Sequence, residues 1–199
     1  MTWSGTLKSP RAETIRSPKT DDGELLSRVA RGDLEAFERL YRVYQLRLTR
    51  FLTTLLKRAE LIEEVLDDTM MVVWQTAGSF RGSSKASTWI FAIAYRKAQK
   101  ARVRWPDPIE DPEIENRVSA DSMPDEELGQ QQLRSALTKA MDQLSPDHRA
   151  VVDLTYFHDL GYREIAEIVD CPVDTVKTRM FHARRRLRQA MSGSVADWI

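Results

Sequence analysis

Apolar residues along most of the chain recur at intervals of three and four, the period of a helix that buries one stripe. Phe37, Leu40, Tyr41, Tyr44, Leu48, Phe51, Leu52 and Leu55 are the longest such series. They predict one amphipathic helix, capped by Asp33 and reaching about Arg58. A short helix precedes it, starting at Asp21 or Asp22 and closed by Gly32. Ile62, Leu66, Met70 and Val73 mark a third helix over about 60–77. Gly78 and Gly82 bracket a loop around Phe80, after which Ser87 or Thr88 is the expected cap of a helix reaching about Val103. Few segments alternate apolar and polar residues as a half-buried strand would.

In the second half, Leu133, Leu137, Ala140, Met141 and Leu144 mark another amphipathic helix. Ser145-Pro146 is a start signal for the next, which runs to about Phe157. Gly161 introduces a short helix over 162–169, residues 170–172 form a turn, and the last helix spans about Val173 to Met191. Val176, Met180, Ala183 and Leu187 form its apolar stripe. Two short helices, a tight turn and a basic second helix read as a helix-turn-helix over about 161–188. An ordinary helical hairpin is the alternative. Asp170 falls where the turn needs a left-handed residue, which Asp tolerates better than most.

Composition agrees with a helical chain: 199 residues hold only eight Gly and eight Pro. No apolar run approaches the ~18 residues a membrane span needs, and no apolar signal-peptide core follows the N-terminus. A single cysteine, Cys171, excludes an intramolecular disulfide framework and suits a reducing cytoplasm. There is no phosphate-binding glycine loop and no HExxH or ExxH, and the three His at 148, 158 and 182 lack metal-ligand spacing. No catalytic constellation, metal site or cofactor is expected.

Net charge is zero, yet charge is strongly segregated. Arg81 to Arg104 holds seven basic residues and no acid; Lys177 to Arg188 holds six and no acid. Between them, Trp105 to Gln131 holds nine acids, one base and four prolines. Two basic blocks suggest two surfaces for a polyanion. The acidic stretch carries too few large apolar residues to offset chain entropy and reads as a flexible linker. Residues 1–20 have the same polar character and read as a disordered arm.

Three blocks in order carry a resemblance: AFERLYRVYQLRLTRF (36–51), EEVLDDTMMVVW (63–74) and FRGSSKASTWIFAIAYRKA (80–98). With the stretch 143–191 they resemble an extracytoplasmic-function (ECF) sigma factor of the bacterial sigma-70 family. The resemblance implies an all-α protein of two small helical domains joined by the acidic linker. Its parts are an arm at 1–20, region 2 at 21–104, the linker at 105–127, region 4 at 128–191 and a tail at 192–199. It implies a non-enzymatic factor that joins core RNA polymerase, through the β′ coiled-coil and the β subunit, and directs it to promoter DNA. The implied location is the bacterial cytoplasm, at the nucleoid when polymerase-bound, with no membrane insertion. An anti-sigma factor is the implied regulator, in a stress or envelope response.

Residue by residue, the resemblance places core-polymerase docking on Glu63, Glu64, Val65, Leu66, Asp67, Asp68, Met71 and Trp74. Glu63/Asp67 and Glu64/Asp68 each share a helix face at a spacing that is mildly destabilising, so a partner is expected to favour them. A solvated face or a divalent-metal site are the alternatives for these carboxylates. The resemblance assigns −10 reading to Arg81, Ser83, Ser84, Lys85, Ser87, Trp89, Arg96, Lys97 and Lys100. Ala92-Ile93 stands where primary sigma factors carry paired tryptophans, which implies weak melting ability. It assigns −35 reading to Thr175, Lys177, Thr178, Arg179, Phe181 and His182, with Arg184, Arg185 and Arg188 on phosphates. Asp67-Asp68 replaces the Gln-Glu frequent in the family, and His182 replaces Arg. A simple helix-turn-helix repressor would explain 143–191 but not the first half. A metal-dependent helical enzyme would explain neither basic block, and a pure interaction module is a third reading.

Overall fold

The computed structural model describes residues 22–105 and 135–191. Among these every regular element is helical. The first half comprises α1 (Asp22–Val29), α2 (Leu34–Leu55), α3 (Ala59–Thr76), a 3-10 turn (Ala77–Ser79) and α4 (Ala86–Arg104). The second comprises α5, described over 135–142, then α6 (Pro146–Tyr156), α7 (Tyr162–Ile168) and α8 (Val173–Met191). The arm, the acidic stretch beyond Trp105, Leu133 and the tail lie outside the described residues.

Local chemistry accounts for most boundaries. Asp33 caps α2 by accepting from Ala36 N at 3.0 Å, and the same carboxylate pairs with Arg28 at 2.7 Å. Gly32 turns the chain at a φ of 81°, which a glycine adopts without penalty. α2 stops at Leu55 rather than Arg58, because Leu56 turns extended and is itself buried. Ser145 caps α6, with Pro146 at the first helical position, where its missing N–H costs nothing.

The expected cap of α4 is corrected. The helix begins at Ala86, with Lys85 as its N-cap residue and no side-chain cap bond. Ser87 and Thr88 lie inside the first turn, and Thr88 is buried with Ala86. Packing against the rest of the bundle, not a cap, holds this end.

Phe37 and Tyr41 flank the fully buried stripe Leu40, Tyr44, Leu48, Phe51, Leu52 of α2. α2 packs on α1, α3 and α4, and α4 is nearly enveloped: Ile90 through Tyr95 are all buried. Each fully buried large apolar side chain contributes ~1.5–3 kcal/mol relative to exposure. In the second half α6 and α7 pack on α8 through Val176, Met180 and Ala183, the predicted stripe.

The two halves also pack on each other, α6 against α2 and α7 against α4, under one continuous apolar core. His158, in the turn after α6, sits beside the rings of Phe91 (centroids 4.6 Å apart) and Phe51 (6.2 Å). Its Nε2 faces Asp153 Oδ2 at 3.0 Å, a close polar contact that is off hydrogen-bond alignment, with both side chains almost wholly buried. Arg50 of α2 lies over the Phe157 ring, 3.5 Å from its centroid, and 3.8 Å from Asp153.

Candidate nucleic-acid interface

The turn between α7 and α8 is built by backbone hydrogen bonds. Val169 N–H donates to Ile165 O at 2.9 Å and Cys171 N–H to Ala166 O at 3.1 Å. The second bond spans five residues and is the six-to-one closure of a Schellman motif. That motif needs a left-handed residue just past the cap, and Asp170 supplies it with a φ of 49°. The left-handed Asp170 predicted from the sequence is therefore present. Glu164 closes the other end of α7, accepting from Gly161 N–H at 3.0 Å.

With Val176, Met180 and Ala183 facing inward, α8 turns Lys177, Thr178, Phe181, His182, Arg184, Arg185 and Arg188 to solvent. Phe181 is 63% exposed, a large apolar side chain on an otherwise basic face. Lys177 pairs with Asp174 one turn back, and Thr178 donates to the Asp174 carbonyl. Arg184 lies 3.1 Å from the Tyr156 hydroxyl. Thr175 is half-buried.

Arg179 does not join that face. Its guanidinium is half-buried and pairs with Asp147 at the start of α6 at 2.7 Å. It also approaches the Cys171 sulfur. Position 179 lies three residues after Val176 and four before Ala183, at the edge of the buried stripe. His148 stands opposite His182, ring centroids 6.4 Å apart. Burial, then the charges of Arg186, His182 and Arg179, push the His148 pKa down.

The loop between α3 and α4 holds the second basic surface. Phe80 packs against Trp89, centroids 5.5 Å apart, so Trp89 is half-buried as part of the loop's support. Gly82 has a φ of 70°. Arg81 and Ser83 are exposed, and Ser84 and Ser87 are half-buried. Lys85 reaches across to Glu164 of α7, Nζ to Oε1 2.8 Å. Arg96 and Lys100 face solvent, whereas Lys97 pairs with Asp68 at 2.9 Å. Ala92 and Ile93 are both buried.

On α3 the four carboxylates Glu63, Glu64, Asp67 and Asp68 are all exposed, with Met71 at 55%. Val65 and Leu66, expected to supply apolar contact there, are core residues with 4% and 5% exposure. Their positions in the period put them on the opposite side from the carboxylates. Trp74 is half-buried against Phe37 at 5.1 Å. Asp67 accepts from the Tyr41 hydroxyl. Among the described residues no cluster of His, Cys, Asp and Glu is arranged to hold a metal ion.

No local pattern marks Asp147, His158 or Glu164 as contact residues. Asp153 within the apolar run 150–154 was the one available signal.

Helices throughout the described residues, one with an acidic face and a pair forming a basic helix-turn-helix, suit a DNA-binding regulator. Residues 40–104 match the family model for sigma-70 region 2, and residues 134–187 match that for sigma-70 region 4. The ECF RNA polymerase sigma-E factor of Haemophilus influenzae is 32% identical over 177 residues, 83% of this chain and 93% of the relative. The RNA polymerase sigma-H factor of Pseudomonas aeruginosa is 29% identical over 180 residues, 85% and 93% of the two chains. The sigma factor RpoE of Bartonella quintana, solved with the anti-sigma factor NepR, superposes with a TM-score of 0.56 at 25% identity, covering 79% of this chain and 98% of that one. CnrH, solved with the cytosolic domain of CnrY, shares the fold at a TM-score of 0.63 and 20% identity, over 87% and 99% of the two chains. The chain belongs to the sigma-70 family, as an extracytoplasmic-function RNA polymerase sigma factor.

Proposed function

We propose that this chain works in the bacterial cytoplasm, reading a −10 element with residues 21–104 and a −35 element with residues 128–191 once it has docked on core polymerase. Catalysis of RNA synthesis belongs to the polymerase. The observation that carries the reading is the outward face of α8, where Lys177, Phe181, His182, Arg184, Arg185 and Arg188 are exposed together beyond a helix-turn-helix turn. On such a face a lysine can donate to guanine, a phenyl ring can touch a thymine methyl, and arginines can hold phosphates.

The loop Arg81–Lys85 would select the −10 base, with Ser83 and Ser84 as small hydrogen-bonding groups around an extruded base. Arg96 and Lys100 would hold the strand. Glu63, Glu64, Asp67, Asp68 and Met71 would dock on the β′ coiled-coil, since four exposed carboxylates on one helix gain little from solvent alone. Control by an anti-sigma factor is supported by the Bartonella relative, which was solved with one.

Purified chain added to core polymerase should start transcription from one class of genomic promoters and not from others. Failure to initiate on any fragment of a genomic promoter library would refute the reading. Charge reversal at Glu63 and Glu64 should abolish initiation by removing core binding, with the fold intact by circular dichroism.

A further inference from the structure

Two imidazoles meet at the edge of the basic face of α8. His182 is exposed there beside Phe181, whose ring lies edge-on with centroids 5.5 Å apart. Opposite it, in the first turn of α6, stands the half-buried His148, its ring 6.4 Å from that of His182 and nearly perpendicular to it at 89°. The Ser145 hydroxyl accepts from His148 N–H as the cap of α6 and is also hydrogen-bonded to Nδ1 of the same residue. Its own proton can therefore go to Nδ1, which leaves Nε2 as the N–H of a neutral ring.

The charges around the pair are mostly basic. Arg186 and Arg179 of α8 both act on His148 together with His182, and the acidic group acting on it is Asp147. That carboxylate is already engaged, by Arg179 at 2.7 Å and by the Tyr95 hydroxyl and Gln99 of α4 at 3.3 and 3.4 Å. Asp142 of α5 is held by Arg149, and Asp174 of α8 by Lys177. Burial and the neighbouring cations keep the His148 ring below the ordinary histidine range, and a proton on either imidazole repels a proton on the other.

An anion reverses this balance. A phosphate accepting from both rings supplies the negative charge that the site lacks, and it favours the imidazolium form of each. An arginine would hold the same phosphate at any pH, whereas a histidine holds it in proportion to its protonation. The third histidine of the chain, His158, is buried in the core, so His148 and His182 are the imidazoles within reach of a duplex.

We propose that His148 and His182 together receive one backbone phosphate of the −35 duplex, taking up a proton as they do so, and that promoter engagement by this chain therefore strengthens as pH falls below neutrality. The inference rests on the reading of α8 proposed above. It adds a residue of α6 to that surface and makes one of its contacts conditional on protons. Because the bound state holds more protons than the free state, affinity rises as pH falls through the histidine range, centred near about 6.5.

The test uses the full chain assembled with core polymerase, and a promoter fragment from which that complex initiates. Affinity is measured at pH 7.5 and pH 6.0 at one salt concentration, for wild type and for the double variant His148→Gln, His182→Gln. Glutamine keeps a polar side chain but takes no proton, so the pH response of the polymerase itself cancels in the ratio of the two. Wild type should gain roughly five- to thirtyfold on the double variant between those two pH values, the upper figure being one proton taken up in full. His148→Gln alone should lose a large part of that gain. His182→Arg, with its permanent charge, should bind at pH 7.5 about as tightly as wild type does at pH 6.0. Circular dichroism confirms that each variant is folded. A ratio that does not change with pH would overturn the proton linkage, and a gain left whole in His148→Gln would overturn the shared site. A chain that initiates from no promoter would instead refute the function assignment, so the two failures are told apart.

Discussion

Lys85 Nζ lies 2.8 Å from Glu164 Oε1 and links the loop before α4 to α7, the helix that precedes α8. The same carboxylate caps α7 through its second oxygen, so one side chain serves a local turn and a long-range contact. Partial burial opposes ionisation of Glu164, but the hydrogen bond from Lys85, that from Gly161 N–H and the Lys85 charge outweigh it. The net effect holds the Glu164 carboxyl below the ordinary glutamate range.

That shift sets a pH dependence. The unfolded chain binds a proton at Glu164 more readily than the folded one, so stability rises with pH across this window. The contribution is fully present above the ordinary glutamate pKa, about 4.3, and is lost as pH falls through the lower folded value. Glu164→Gln should lower stability near pH 7 and draw level with wild type as pH falls through the folded value. Thermal midpoints of the two proteins between pH 7 and pH 3 check this. Parallel curves would contradict it.

Asp170 occupies a left-handed position at the closure of α7. A non-glycine residue there costs roughly 1–2 kcal/mol, while glycine loses about 0.5–1 kcal/mol more backbone entropy on folding. Asp170→Gly should therefore raise stability by on the order of 0.5 kcal/mol. Asp170→Val should lower it, since a β-branched side chain tolerates that backbone least. Urea midpoints at constant m-value measure both; the opposite ranking would refute the strain argument.

Arg184, Arg185 and Arg188 are exposed on α8 and proposed as phosphate contacts. Replacing all three by alanine should flatten the salt dependence of DNA binding by the second half, by about 0.9 log unit per lost contact. Lost sequence preference with an unchanged salt slope would move these residues to base reading.

Ser83 and Lys85 are exposed and Ser84 is half-buried in the loop before α4, over a base of Phe80 and Trp89. Exchanging the three for another member's residues should re-rank −10 bases about five- to a hundredfold, the size of a ~1–3 kcal/mol base contact. Core binding and −35 preference should hold, because α3 and α8 are untouched. Transcription from promoters randomised at each −10 position, at one salt concentration, gives the ranking. Equal loss at every promoter would place specificity on the helix itself.

What the sequence determined by itself was local. The stripe from Phe37 to Leu55, the caps Asp33 and Ser145, the left-handed Asp170 and the full extent of α8 follow from helical period and from side chains bonding to nearby backbone. The exposed basic face of α8 came with them, because a buried stripe at a fixed period dictates what lies opposite. The period also had the means to exclude Val65 and Leu66 from the acidic face, and their burial follows from it. Only the tertiary structure decided which charges meet. Arg179 turns to Asp147, Lys85 to Glu164, and His158 with Asp153 becomes part of a core shared by both halves. Such pairs join positions far apart in the chain, and their energies depend on distance and burial that no local pattern encodes.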